Sequence, residues 1–204
     1  GKLEMTMNLH DTFAYMVSRW TDELVVTSAG HSSGTWWDLT HDRDQVFYLT
    51  ASMSLSSMFA SGIAVGNPGV NVWAMSGDGA FVMNPGMLFV ERKMNLPNLT
   101  HFMVSNRCYG STEEVDIAFS EHADYATLAR GAGIDRVYSF NSLEEFKDQF
   151  DEAVIAEGHT FIVLNVERVG KEVRTASMDG PEVKFRFGRY VEERTGQTIF
   201  NVLP

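Results

Sequence analysis

The chain is predicted to fold as an α/β domain, with a mostly parallel central sheet and helices on both faces. Three observations predict it. Short apolar runs alternate with amphipathic or small-residue stretches through most of the 204 residues. The connections between those runs are long enough for parallel crossovers. Polar, glycine-rich clusters follow several of the runs directly, and ligands in such sheets sit outside the carboxyl ends of the strands.

Phe13, Met16, Val17 and Trp20 recur at i, i+3, i+4 and i+7, the pattern of an amphipathic first helix. Leu24-Val25-Val26-Thr27 is a short apolar strand entering the cluster Ser28 to Gly34, and Val46 to Leu49 is a second strand. Residues 53–66 mix apolar side chains with small serines and read as a buried helix, ended by Asn67-Pro68-Gly69. A third strand, Val70 to Met75, runs into Ser76-Gly77-Asp78-Gly79. Pro85 opens a helix over about 86–94, since proline tolerates the first helical turn. Thr100 to Ser105 is a fourth strand landing on Asn106, Tyr125, Leu128 and Ala129 mark a helix stopped near Gly133, and Val137-Tyr138 is a short strand. Ser142-Leu143-Glu144-Glu145 is a capping box for a helix that buries Phe146, Phe150 and Val154. Thr160 to Val166 closes the series of strands. The polar segment after Arg168 has only short apolar pieces. The expected organisation is a domain over 1–167 and a C-terminal arm over 168–204 that packs on the domain or on a partner subunit.

The formal charge of −11 repels nucleic acid and anionic membrane surfaces, so neither is expected as a partner. It leaves room for an anionic cofactor, because a divalent metal inverts the local field. A single cysteine, Cys108, excludes an internal disulfide and a multi-cysteine metal site, and a reducing, cytoplasmic setting is the expectation. No apolar run reaches the length of a membrane span, and Gly1-Lys2-Leu3-Glu4 does not read as a secretory leader.

Three polar clusters fall at strand ends: Ser28 to Ser33, Ser76 to Gly79, and Asn106 to Ser111. A glycine-flanked aspartate alone is most often a turn. Asn106, however, follows Asp78 by 28 positions, at the end of the next strand. Equivalent ends of parallel neighbours lie about 5 Å apart, or about 10 Å with one strand between, so both side chains can point at one ion. A carboxylate and an amide oxygen are hard ligands that suit magnesium. Gly77 and Gly79 let the backbone approach a phosphate closely, and the amides of Gly79 and Ala80 open toward it.

Gly77-Asp78-Gly79, an intervening helix, and Asn106-Arg107-Cys108-Tyr109-Gly110 together resemble the diphosphate-binding motif of thiamine diphosphate enzymes. Ala51-Ser52-Met53-Ser54 before a small-residue helix resembles the Gly-Ser-Met-Gly stretch of the decarboxylase branch, and Val25 to Gly30 resembles the strand and turn beside the diphosphate. Asp42-Arg43 and Phe47-Tyr48 are similar to the β subunits of two-subunit sulfopyruvate and phosphonopyruvate decarboxylases. The likeness spans residues 10–167 and implies a thiamine diphosphate-binding fold. It implies that Asp78 and Asn106 bind Mg2+ by side chain, with the Cys108 carbonyl as third protein ligand. Gly30, Ser32, Tyr109 and Gly110 would join Gly77, Gly79 and Ala80 around the cofactor. Met53 would wedge beneath the thiazolium, and the backbone of Ala51 and Met53 would hold the aminopyrimidine.

The resemblance also implies a small 2-oxo acid as substrate. It implies a second subunit too, bringing the pyrimidine-binding domain and its activating glutamate, in a heterotetramer or larger assembly. Ala29 stands where the family often has threonine, so Ser28 or Ser32 would supply that hydroxyl. Gly34-Thr35 replaces a common Arg-Glu pair, and Trp36-Trp37 suggests an apolar wall. His31 is either a proton shuttle at the substrate or a loop histidine without chemistry. His101 is read as structural, Cys108 as acting through its backbone, and Glu113-Glu114 as a solvated acidic face. Two alternatives stand beside the decarboxylase or carboligase subunit: the β chain of a 2-oxo acid oxidoreductase, and a non-catalytic, Mg-dependent α/β binding module.

Overall fold

A computed structural model of the chain describes residues 7–42, 44–50, 52–155, 157–170, 176 and 179–200. Arg43 and Ala51 lie outside the described residues. Among the described residues the order is α1 Leu9–Arg19, β1 Leu24–Thr27, α2 His31–Thr40, β2 Val46–Tyr48, α3 Ser56–Gly66, β3 Val72–Gly77, α4 Asp78–Phe81 and α5 Met87–Met94. Then follow β4 Leu99–Ser105, β5 Cys108–Tyr109, β6 Val115–Asp116, α6 Tyr125–Gly131, β7 Arg136–Phe140, α7 Leu143–Ala153, β8 Thr160–Asn165 and α8 Gly180–Thr195. Six strands form one sheet in the order β2-β1-β3-β4-β8-β7. Every pairing in it is parallel, and β5 and β6 form a separate antiparallel hairpin.

Alternation along the strands builds two apolar layers. Val25, Trp73, Met75, Phe102, Val104, Ile162 and Leu164 share a core with Phe13, Met16, Trp36, Phe146 and Phe150, from α1, α2 and α7. Their neighbours face the other way. Leu24, Val26, Val72 and Ala74 pack with Ala60 and Ala64 of α3 and with Phe187 and Val191 of α8. Met103, Phe161 and Val163 pack with Met87 and Leu88 of α5 and Tyr125 of α6. Local signals fix several helix starts: the side chains of Asn8, Ser142 and Asp179 accept from the amides of Asp11, Glu145 and Glu182.

Two helices depart from the expected pattern. Residues 31–40 form α2, although Ser32-Ser33-Gly34-Thr35 are poor helix formers. Tertiary burial holds it: Trp36 is fully buried with its ring edge-on to Phe13, Trp20 and Trp73. Trp37 packs against His41 and Tyr48. The Trp36-Trp37 pair is therefore core, and the expectation of an apolar wall at the site is corrected. The polar segment after Arg168 contains the 16-residue α8, which buries Val183, Phe187 and Val191 and ends on Gly196 at φ 71°. Its apolar stripe is narrow, which is why the sequence reads as an arm.

Between β1 and β3 the chain reverses its direction of travel across the sheet, since β2 lies outside β1. A parallel sheet opens a crevice at the carboxyl ends of strands at such a point. The three polar clusters follow β1, β3 and β4, which are adjacent.

Candidate cofactor-binding site

A cavity of about 310 Å³ occupies that crevice. It is lined by Gly30, His31 and Ser32 from the start of α2, by Met53, by Gly77, Asp78, Gly79 and Ala80 after β3, and by Asn106, Cys108, Tyr109 and Gly110 after β4. The structure thus brings together every candidate site residue except Ala51, which lies outside the described residues. Leu9, Ala29, Met83, Val104, Ser111, Thr112 and Val115 complete the lining. Ser111 and Thr112 extend the polar cluster that begins at Asn106. Leu9 carried no sequence signal, because it reaches the cavity from α1, far away in the chain.

Asp78 is buried and opens α4 directly after β3. Its Oδ1 accepts from the Gly79 amide at 2.9 Å, and its Oδ2 accepts from the Arg107 amide at 2.7 Å and the Ser105 hydroxyl at 3.0 Å. Burial raises the carboxyl to about 6, against the pull of those three hydrogen bonds. Asn106 is buried next to Arg107, and its Oδ1 accepts from the Cys108 amide at 3.2 Å. Arg107 turns the chain between them with φ 65°. Its guanidinium points away from the cavity, donating to the Ser120 and Ala123 carbonyls and to Asn165 Oδ1. Cys108 is buried, and burial pushes its thiol up, away from thiolate reactivity.

The cavity walls are cut to glycine. A Cβ at Gly79 would sit 2.7 Å from the Tyr109 ring, and one at Gly110 would sit 2.7 Å from His31 and 2.9 Å from Asn106 Nδ2. Gly30, at φ 88°, caps α2 without a side-chain hydrogen bond, so the first amides of that helix are left for an anion. Ser33 ties the turn, bonding Thr27 and the Ser28 carbonyl at 2.6 Å each. Ser32 lines the cavity, whereas Ser28 does not, and its buried Oγ has no hydrogen-bond partner among the described residues. His31 lines both this cavity and a neighbouring one of about 280 Å³, which also touches Gly34, Thr35 and Asp38. Glu113 is exposed and Glu114 half-buried in the β5–β6 turn, both with positive φ, and Glu114 accepts from the Gly170 amide.

Among the described residues no three His, Cys, Asp or Glu side chains converge as a metal cage. The oxygens available here are of another kind, one carboxylate with amide and carbonyl oxygens. That set suits magnesium completing its shell with phosphate and water.

Residues 28–166 match the family described as the thiamine pyrophosphate enzyme, C-terminal TPP binding domain. Relatives include the sulfopyruvate decarboxylase subunit beta of Methanococcus maripaludis, 29% identical over 90% of this chain and 97% of that protein. The protein of the same description from Methanocaldococcus jannaschii is 28% identical over 81% of this chain and 86% of its own. In fold, the chain is similar to benzoylformate decarboxylase from Polynucleobacter necessarius, with TM-score 0.69, 15% identity and 86% of this chain covered. It is also similar to a 4-hydroxybenzoylformate decarboxylase from Rhodococcus jostii, with TM-score 0.70, 18% identity and 82% of this chain covered. The chain spans about a third of the length of those two structures (35% and 34%). With the motif, the cavity and the family match in agreement, the chain belongs to the C-terminal, cofactor-binding domain family of the thiamine pyrophosphate enzymes.

Proposed function

We propose that this chain is the diphosphate- and Mg2+-binding subunit of a thiamine diphosphate-dependent 2-oxo acid decarboxylase, active with a partner subunit that brings the pyrimidine-binding domain. The observation that carries the reading is the meeting of Asp78, Asn106 and Cys108 with the start of α2 in one glycine-walled cavity. Asp78 and Asn106 would hold the metal by side chain and Cys108 by its carbonyl. The amides of α2 and of Gly79 and Ala80, with the Ser32 hydroxyl, would receive the diphosphate. Met53, on the cavity wall, would support the thiazolium, and the role of Ala51 at the pyrimidine belongs to the same proposal. Once bound, the cofactor supplies the electron sink for decarboxylation. His31 would carry a proton on its imidazole at the substrate side.

The relatives are named as beta subunits, which supports a heteromeric assembly. So does exposed apolar surface: Met53 and Met83 in the cavity lining, Leu55 and Phe59 at the start of α3, and Phe89 and Val90 on α5 are large apolar side chains left exposed. A cytoplasmic setting fits the single, buried cysteine. Among the described residues no helix is long and apolar enough to cross a membrane.

Calorimetric titration tests the reading. Thiamine diphosphate should bind only with Mg2+ and not to Asp78→Ala, and the chain alone should turn over 2-oxo acids negligibly until its partner is added. Metal-independent binding, or full turnover without a partner, would overturn it.

A further inference from the structure

We propose that His101, held by Glu91, is a positioning residue that fastens both ends of the segment carrying the metal-binding loop. This rests on the reading of Asp78 as a magnesium ligand. Ser76, Asp78 and Glu91 belong to one stretch, which runs from the end of β3 through α4 into α5. Ser76 Oγ lies 2.7 Å from His101 Nε2 at its start. Glu91 Oε1 lies 3.0 Å from His101 Nδ1 at its end. One imidazole, on the adjacent strand β4, thus closes the loop that holds Asp78, Gly79 and Ala80. His159 adds a second tie, from its Nε2 to Glu91 Oε2 at 2.8 Å, while its Nδ1 faces the Leu99 carbonyl at 3.2 Å.

All four side chains are buried, at 2% exposure or less. Bulk stability does not call for such a group, because apolar residues of similar volume in place of a buried ion pair are often neutral or stabilising. A fully satisfied polar network gives a defined geometry instead. The direction of that geometry is visible on the sheet. Ser76 points to one face of β3, and His101 and Ser105 point to the same face of β4, in the register Gly77 to Val104. Ser105 bonds Asp78 itself, and His101 bonds the residue two positions before it. The network is therefore one step along the strand from the carboxylate and shares its backbone. It is also out of reach of the cavity, none of whose lining residues belongs to it, so its action on the metal must be through the placement of Asp78.

The test uses the full chain co-purified with its partner, titrated with Mg2+ at saturating thiamine diphosphate, with thermal unfolding measured in parallel. His101→Leu and Ser76→Ala should raise the half-saturating Mg2+ concentration about tenfold, the low end for outer partners of metal ligands. Val191→Ala, a cavity in the distant α8 core, should lower the melting temperature and leave the Mg2+ response unchanged. Should His101→Leu not fold, Ser76→Ala decides. If both variants lose thermal stability but keep the wild-type Mg2+ response while Asp78→Ala abolishes it, the positioning role is wrong. If Asp78→Ala also keeps that response, the ligand assignment falls and this inference with it.

Discussion

The Arg107 amide donates to Asp78 Oδ2 at 2.7 Å, so the loop after β4 is hydrogen-bonded to the carboxylate that begins the loop after β3. The two motif segments are thereby one unit even without a ligand, and the donors to Asp78 become levers on the site.

Ser105 is the only side chain donating to Asp78 among the described residues. Ser105→Ala removes that bond without adding bulk. The Mg2+ concentration needed for cofactor binding should rise about tenfold. Calorimetric titration at fixed thiamine diphosphate measures it.

Gly110→Ala places a methyl group 2.7 Å from His31 and 2.9 Å from Asn106. Both side chains must move, at a cost of about 1–3 kcal/mol. Cofactor affinity should fall by about 5- to 150-fold, since 1.4 kcal/mol is a factor of ten. Gly62→Ala, where the new Cβ meets nothing within 4 Å beyond its chain neighbours and its own helix backbone among the described residues, should leave affinity unchanged.

Trp36→Ala tests the correction of the aromatic wall. Loss of a fully buried indole should cost about 3–5 kcal/mol of stability by urea unfolding. Trp36→Phe should restore much of the stability, and its ranking of 2-oxo acid substrates should match that of the wild-type complex.

Burial alone would push the Glu91 carboxyl up, but the charges and hydrogen bonds of His101 and His159 outweigh it and hold the group well below the usual carboxylate range. The folded chain then binds fewer protons there than the unfolded chain. The resulting stability is fully present above the ordinary carboxylate value of about 4.3 and drains as the pH falls below it. Glu91→Gln should cost about 3 kcal/mol at neutral pH, as when a buried pair loses one member. The gap between wild type and variant should narrow as the pH falls below about 4. Urea unfolding across that range measures it.

Phe89 is 68% exposed on α5. Phe89→Asp should change the stability of the isolated chain by no more than about 0.5 kcal/mol, yet reduce recovery of the partner subunit in size-exclusion chromatography.

Much of this molecule could be read from its residues. Leu24 to Thr27 was legible as a strand because four apolar or β-branched residues end in a polar cluster, and Ser142 was legible as a cap because Glu145 follows at the right distance. Asp78 and Asn106 stood out through spacing, which a parallel crossover converts into proximity. The rest depended on contacts distant in sequence. Residues 31–40 carry weak helical propensity and fold as α2 only because Trp36 finds Phe13, Trp20 and Trp73. His101 reads as structural in the sequence, but its partner Glu91 comes from a helix, and His159, which ties Glu91 in turn, lies just before a far strand. No local pattern announces that meeting.

The order of the strands has a practical corollary. The loops that line the cavity leave β1, β2, β3 and β4, and β7 lies two places away from the nearest of those strands. The edge strand β7, Arg136 to Phe140, contributes no residue to the cavity lining, so the exposed margin at Asp135, where the chain enters it, can change while the central strands keep their shape. An engineer seeking a tolerant attachment point for a tag or a fusion would begin at that margin.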